Sequence, residues 1–107
     1  MIARPLKPQW FQILLALAGK DLHGYGIQRA VLEQTEGGLR LWPAMLYRSL
    51  AALEDAGLIR QVATPTDEPE DERRQYYEIT RSGRALLLEE TSRMARWVDA
   101  ARDAGGS

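Results

Sequence analysis

The segment from Ala44 to Ile59, AMLYRSLAALEDAGLI, restricts the fold more than any other part of the chain. Leu46, Leu50 and Leu53 recur at spacings of four and three residues, which places them on one face of a helix. Gly57 is the residue type that commonly ends a helix, and two apolar residues follow it at once. The segment therefore predicts a short helix with one buried face that runs directly into a strand.

Three other segments have helical patterns. The first runs from about Pro8 to Ala18 and is apolar around nearly its whole circumference, which predicts a helix buried at the centre of the core. The second lies within residues 24–38 and ends at a glycine pair. The last runs from Arg81 to Ala104, with Thr80 as a plausible N-cap. The chain is therefore predicted to be mainly helical.

Two segments are rich in β-branched and aromatic residues, Leu58–Ala63 and Gln75–Thr80, and are predicted strands. The residues between them, 64–74, contain two prolines and a dense charge run, which predicts a flexible hairpin tip. The alternating segment Leu39–Trp42 predicts a further brief strand, and residues 20–25 a tight turn.

This order of elements predicts a mainly α (α+β) fold, a winged helix-turn-helix with a small β-hairpin wing. Residues 1–80 would form a DNA-binding domain, and residues 81–107 a long C-terminal dimerisation helix with a frayed tail. At 1.5 Å per residue the last helix would extend about 35 Å, longer than so small a core can cover. Its apolar stripe therefore predicts a homodimer interface. The stripe consists of Leu87, Thr91, Met94, Val98 and Ala101.

Composition excludes several classes of protein. A chain of 107 residues with 45% apolar and 27% charged residues is long enough for one globular domain. It has no cysteine, which fits a cytoplasmic location, and its longest apolar run, WFQILLALAG, is too short to span a membrane. With a net charge of −1, any contact with DNA must depend on locally placed arginines.

The outer face of the third helix carries residue types that suit a DNA groove. With the leucines facing inward, Ala44, Arg48, Ala51 and Asp55 lie opposite, and Tyr47 lies between the two faces. Small alanines allow close approach, and Arg48 can form paired hydrogen bonds with a guanine edge or a phosphate. Tyr47 can donate to a phosphate oxygen or instead close the edge of the core, and both readings stay open at this point.

Three motifs resemble the PadR family of bacterial transcriptional regulators. They are HGYGI at the second helix, PAMLYRSLAALEDAGLI across the third helix, and RRQYYEITRSGRALL leading into the last helix. The resemblance extends from about Phe11 to Trp97 and is to the short members of the family. It implies a homodimer that binds a palindromic operator in double-stranded DNA, usually as a repressor that a small-molecule effector releases.

The family motif also carries over to individual positions of this chain. The matching residues are Pro43, Leu46, Tyr47, Leu50, Leu53, Glu54, Gly57, Leu58, Ile59, Arg73, Tyr76, Tyr77, Thr80 and Gly83.

The chain departs from the family pattern in two places. Trp42 stands where the family usually has a small hydroxylated residue, and Ala44–Met45 replace the small Gly, Ser or Thr residues common there. The wing tip is acidic across residues 67–72, where the family tends to be basic. That acidic run is either a solvated loop directed away from DNA or a screen that raises selectivity.

The DNA-binding residues predicted outside the third helix are all basic. Arg73 and Arg74 would contact the phosphate backbone, with Arg29 and Lys7 as weaker phosphate candidates. Near the dimer axis, Trp10, Met94 and Trp97 could line an effector pocket, although aromatic residues at helical spacing usually only pack in a core, here that of the dimer.

Catalysis and cofactors are not expected. The single histidine, His23, has no acidic neighbours at ligand spacing, and the resemblance makes it a structural turn residue rather than a metal ligand. The chain lacks a phosphate-binding glycine loop and a nucleophile motif. A rival interpretation, supported by the low net charge and the acidic wing, is a winged-helix module that binds protein rather than DNA.

Overall fold

A computed structural model of the protein describes residues 5–64 and 75–105. These residues form four helices and a small antiparallel sheet, the α+β winged-helix arrangement that the sequence predicts. In chain order the elements are α1 (Pro8–Gly19), β1 (Leu22–His23), α2 (Gly24–Gln34), α3 (Pro43–Asp55), β2 (Ile59–Val62), β3 (Tyr76–Ile79) and α4 (Arg81–Ala104).

The sheet has the strand order β1-β3-β2, with β3 in the centre. Ile59 pairs with Ile79 and Val62 with Tyr76, so β2 and β3 form the predicted hairpin. On the other edge of β3, Leu22 pairs with Tyr77. Both edges of β3 are therefore occupied, and the hairpin pairs through β3 with the segment between α1 and α2.

Two local predictions were wrong. Leu39–Trp42 is an extended connection without strand pairing, and the third strand is instead β1, where the sequence suggested only a turn. The alternating pattern of residues 39–42 arises without strand pairing, because Leu41 is buried in the core while Trp42 is exposed. The carbonyl of Leu41 accepts a hydrogen bond from the side chain of Gln28 at 2.5 Å instead of from a neighbouring strand.

The core is built from aliphatic side chains of all four helices and of β2 and β3. The prediction of a buried α1 holds for Ile13, Leu14 and Leu17, but Leu15 is 40% exposed. The side chains with at most 2% exposure are Ile13, Leu14, Leu17, Ile27, Val31, Leu41, Leu46, Leu50, Leu53, Ile59 and Glu90.

The helix α4 has the boundaries that the sequence predicts, and it starts at a tightly packed junction. The side chain of Thr80 caps it by accepting a hydrogen bond from the backbone N–H of Gly83 at 3.0 Å. Gly83 lies against the hairpin so closely that an added Cβ would come within 2.2 Å of the carbonyl oxygen of Leu58. Only glycine allows α4 and the β2–β3 hairpin to approach to this distance.

Candidate nucleic-acid interface

The outer face of α3 is arranged as the helical periodicity predicts. Leu46, Leu50 and Leu53 are buried, whereas Ala44, Arg48 and Ala51 are exposed on the opposite side. Pro43 occupies the first position of the helix, where its missing N–H costs no hydrogen bond. The face therefore combines one arginine, two small residues and the exposed Asp55. The small residues would let a flat or grooved partner come close to the helix backbone.

Tyr47 lies at the edge of α3, partly packed against α2 and partly exposed. Its side chain is 57% exposed, yet its hydroxyl lies against the first residue of α2. A Cβ built on Gly24 would come within 3.2 Å of the Tyr47 hydroxyl oxygen. The ring therefore bridges α3 to the N-terminus of α2 and still presents more than half of its surface to solvent.

His23 has a structural role in the same region. Its Nδ1 accepts a hydrogen bond from the backbone N–H of Gly26 at 3.0 Å, and His23 is the N-cap of α2. Its ring meets that of Tyr76 in β3 edge-on at 5.1 Å. His23 is therefore structural, as the resemblance implied, although it lies at the junction of β1 and α2 and not in a turn. Within residues 5–64 and 75–105, no group of three or more acidic, histidine or cysteine side chains could hold a metal ion.

Tyr77 lies under this surface in β3 and is 7% exposed. Burial raises the pKa of its hydroxyl above the ordinary value, and Coulombic repulsion from Glu54 and Tyr47 adds to the effect. The ionised form of Tyr77 is therefore disfavoured in the folded protein.

The raised pKa of Tyr77 predicts a loss of stability in alkali. Below about pH 10 the hydroxyl is neutral in both states; above it the unfolded chain loses the proton first, so the free energy of unfolding falls as pH rises. We expect Tyr77→Phe to reduce the steepness of that fall, measured as urea midpoints from pH 9 to pH 11 at fixed protein concentration. Identical profiles for the two proteins would contradict the assignment.

Lys7 and Arg29, the weaker phosphate candidates, both lie over aromatic rings. The Lys7 ammonium is 4.8 Å from the centre of the Trp10 ring, and the Arg29 guanidinium is 6.0 Å from that of Tyr25. Arg29 also lies 3.9 Å from the carboxylate of Glu33. Among the described residues, no hydrogen bond, ion pair or ring contact joins Lys7 to α3. The other phosphate candidates, Arg73 and Arg74, and the acidic run at 67–72 lie outside the described residues.

The predicted dimer residues of α4 fall into two groups. Leu87 is 7% exposed and packs in the core of its own chain, and the hydroxyl of Thr91 donates to its carbonyl at 2.8 Å. Met94 is half-buried, while Val98 is 47% exposed and Ala101 is exposed. The side of α4 that packs on the core at Leu87 thus continues as an apolar stripe beyond the core.

The residues of the predicted effector pocket are not brought together within one chain. Trp10 is half-buried beside the core, whereas Trp97 is 54% exposed on α4. In the part of the chain that the structure describes, no ring contact links them. A pocket formed by both would need α4 of a second subunit.

Two features of the structure were not predicted. Glu90 is 1% exposed and accepts hydrogen bonds from the backbone N–H of Leu6 at 3.1 Å and from Arg93 at 2.6 Å, which fixes the segment before α1 to α4. Its position on the same face as Leu86 and Leu87 was a signal in the sequence. The second feature is an exposed pair, with the Arg40 guanidinium 5.4 Å from the centre of the Trp42 ring.

No helix in residues 5–64 and 75–105 has both the length and the apolar character needed to cross a membrane.

Comparison with protein families gives a match over most of the chain. A model of the transcriptional regulator PadR-like family matches residues 13–89. A curated relative, an uncharacterized 37.1 kDa protein in transposon TN4556 of Streptomyces fradiae, is 42% identical over 84 residues. That alignment covers 78% of this chain but 22% of the relative, so the chain spans about a fifth of the relative's length.

Solved structures share the fold. A PadR family transcription regulator from Clostridium difficile superposes with a TM-score of 0.71 at 22% identity, covering 94% of this chain and all (100%) of that chain. Bacillus subtilis PadR in complex with operator DNA gives 0.65 at 24% identity, covering 78% of this chain and 46% of that one. A PadR-like transcriptional regulator from Bacillus cereus gives 0.75 at 17% identity, covering 92% and 91% of the two chains.

Proposed function

Because the chain belongs to the PadR-like family of transcriptional regulators, which are not enzymes, we propose that it regulates transcription by binding double-stranded operator DNA through the outer face of α3. The observation that carries this proposal is the exposure of Ala44, Arg48 and Ala51 together, on a helix whose other face is fully buried. A similar structure, that of Bacillus subtilis PadR, is of a complex with operator DNA and supports the same mode of action.

In this proposal α3 enters the major groove with its N-terminal half. Arg48 lies in the second turn, where a helix-turn-helix presents side chains to base edges, and forms paired hydrogen bonds with a guanine. Tyr47, held at one edge by α2, contacts the adjacent phosphate or sugar. Arg73 and Arg74 add phosphate contacts from the wing.

The DNA-bound unit is a homodimer formed along α4. Met94, Trp97 and Val98 are apolar and lie beyond the core of their own chain, so pairing with a second α4 would remove their surface from water. Paired subunits would present two α3 helices about 34 Å apart, to match successive major grooves of a palindromic operator.

The regulator acts as a repressor whose DNA affinity a small molecule lowers. Occupation of an operator blocks transcription, and a flat apolar or cationic effector would bind between indole rings contributed by Trp10 and Trp97 of different subunits, next to Met94. This part of the proposal depends on the dimer.

Arg48→Ala is expected to lower affinity for a selected operator by about 1–3 kcal/mol and to relax base choice at one position of each half-site. The operator would first be obtained by selecting duplexes from a random-sequence pool with the wild-type protein, and affinities would then be measured by fluorescence anisotropy. Arg96→Ala, which removes an exposed arginine from α4, is the matched control and should bind as wild type does.

Two results would contradict the proposed interface. If Arg48→Ala kept both the affinity and the base preference of the wild type, α3 would not be the helix that recognises the operator sequence. If the wild-type protein enriched no sequence and bound no random duplex at low salt, the rival function, a winged-helix module that binds protein, would be favoured.

A further inference from the structure

An exposed cleft lies between α2 and the connection that leads into α3. It has a volume of about 370 Å³ and a floor that includes Leu32 and Leu41. Its rim includes two arginines and two aromatic residues, and we therefore call it the arginine–aromatic cleft. These rim residues are Tyr25, Arg29, Arg40 and Trp42.

The two arginines of the cleft each lie over one of its rings. The Arg40 guanidinium is 5.4 Å from the centre of the Trp42 ring, and that of Arg29 is 6.0 Å from that of Tyr25. The rings themselves remain largely exposed, Trp42 at 63% and Tyr25 at 57%. A guanidinium held over a ring keeps its N–H edge free, so each pair can hold a planar donor group toward a partner.

The charge of the cleft suits an anion. Arg29 is only loosely balanced by Glu33, at 3.9 Å with both side chains mostly exposed. Arg40 has no carboxylate partner among the residues that the structure describes. A strongly hydrated partner would gain little from contact with two large exposed rings. A partner that is anionic and also has apolar faces would contact both the arginines and the rings.

The position of the cleft links it to the face of α3. Trp42 is the N-cap of α3 and directly precedes Pro43 and Ala44. Its indole can only donate hydrogen bonds, so it does not cap the helix, and its side chain is directed elsewhere. The hydrogen bond from Gln28 to the carbonyl of Leu41 fixes the connection on α2, which keeps the cleft beside the N-terminal end of α3.

We propose that the arginine–aromatic cleft grips the sugar–phosphate backbone of DNA beside the groove that α3 enters. Arg40 donates to phosphate oxygens, Trp42 packs against the neighbouring deoxyribose, and Arg29 adds a second charge contact. The cleft therefore supplies affinity that does not depend on sequence. This inference rests on the proposed function, because it needs DNA to be the partner of α3.

The test compares Arg40→Gln with wild type on two probes, a duplex selected by the wild-type protein and a random-sequence duplex of equal length. Binding is measured by anisotropy between about 50 and 200 mM salt. We expect Arg40→Gln to raise Kd about fivefold on both duplexes and to reduce the slope of log K against log salt by about 1 for each subunit bound.

Two companion variants separate charge from packing. Trp42→Ala is expected to raise Kd on both duplexes with an unchanged salt slope, because it removes apolar contact but no cation. Arg40→Lys should restore the salt slope, since it keeps the charge. Arg96→Gln, which removes the same charge from the outer side of α4, should leave Kd and slope at the wild-type values.

The outcomes distinguish failure of this inference from failure of the proposed function. If Arg40→Gln leaves Kd and slope unchanged while Arg48→Ala weakens binding, the cleft is not a DNA contact although α3 is. If Arg40→Gln weakens binding only on the selected duplex, Arg40 reads bases and the backbone assignment is overturned. If the wild-type protein enriches no duplex and does not bind the random-sequence duplex at low salt, both proposals fail together.

Discussion

Replacing Gly83 by alanine should lower the free energy of unfolding by about 3 kcal/mol or more. The added Cβ would lie 2.2 Å from the carbonyl oxygen of Leu58 and 2.7 Å from Cγ1 of Ile79. The Leu58 carbonyl cannot move away cheaply, because it accepts the backbone N–H of Thr80 at 3.0 Å. Either α4 must separate from the hairpin or this hydrogen bond must be lost.

Gly19→Ala is the matched control for this prediction. Gly19 also belongs to a helix, but a Cβ there would meet nothing within 4 Å. Alanine should therefore be neutral or slightly stabilising at that position. Urea midpoints at one protein concentration would compare the three proteins. Equal midpoints for Gly83→Ala and wild type would show that the junction is not packed as described.

Val98→Glu is expected to convert the protein to a monomer and to lower operator affinity at least a hundredfold. A carboxylate buried without a partner costs several kcal/mol, and a symmetric interface contains two of them. The monomer would keep one α3 contact instead of two, which accounts for the loss of affinity. Light scattering at micromolar concentration and anisotropy on the selected duplex measure the two effects.

Ala100→Glu introduces the same charge on the far side of the helix. Ala100 is exposed and lies roughly 200° around α4 from Val98, at 100° per residue. This variant should stay dimeric and bind DNA as the wild type does. A Val98→Glu protein that stayed dimeric at the same concentration would contradict the assignment of the α4 stripe to the interface.

The elements that the sequence predicted correctly are those specified by local chemistry. Leucine spacing located α3, and Thr80 located the start of α4, because periodicity and capping depend on residues a few positions apart. The two-residue strand β1 depends instead on pairing with β3, more than fifty residues later. Its two residues carry too little pattern to be recognised without that partner.

In the candidate interface, the outward position of Arg48 was predictable because it also depends on local periodicity. A helical wheel is enough to place Arg48 outward, since a buried leucine face fixes the opposite one. The Arg40–Trp42 pair is different, because both residues lie in an irregular connection whose backbone has no period. That connection is fixed on α2 by the hydrogen bond from Gln28 to the carbonyl of Leu41, which joins residues thirteen positions apart.

The close packing of Gly83 against the β2–β3 hairpin restricts how α4 can move relative to it. Because a Cβ at this position would overlap the hairpin, α4 is packed closely on the winged-helix unit of its own chain. In the proposed dimer, a change of about 10° in the crossing angle of two α4 helices, each about 36 Å long, would move an α3 helix by about 6 Å. A ligand bound between the two α4 helices would in this way shift the pair out of register with successive major grooves without contacting either α3.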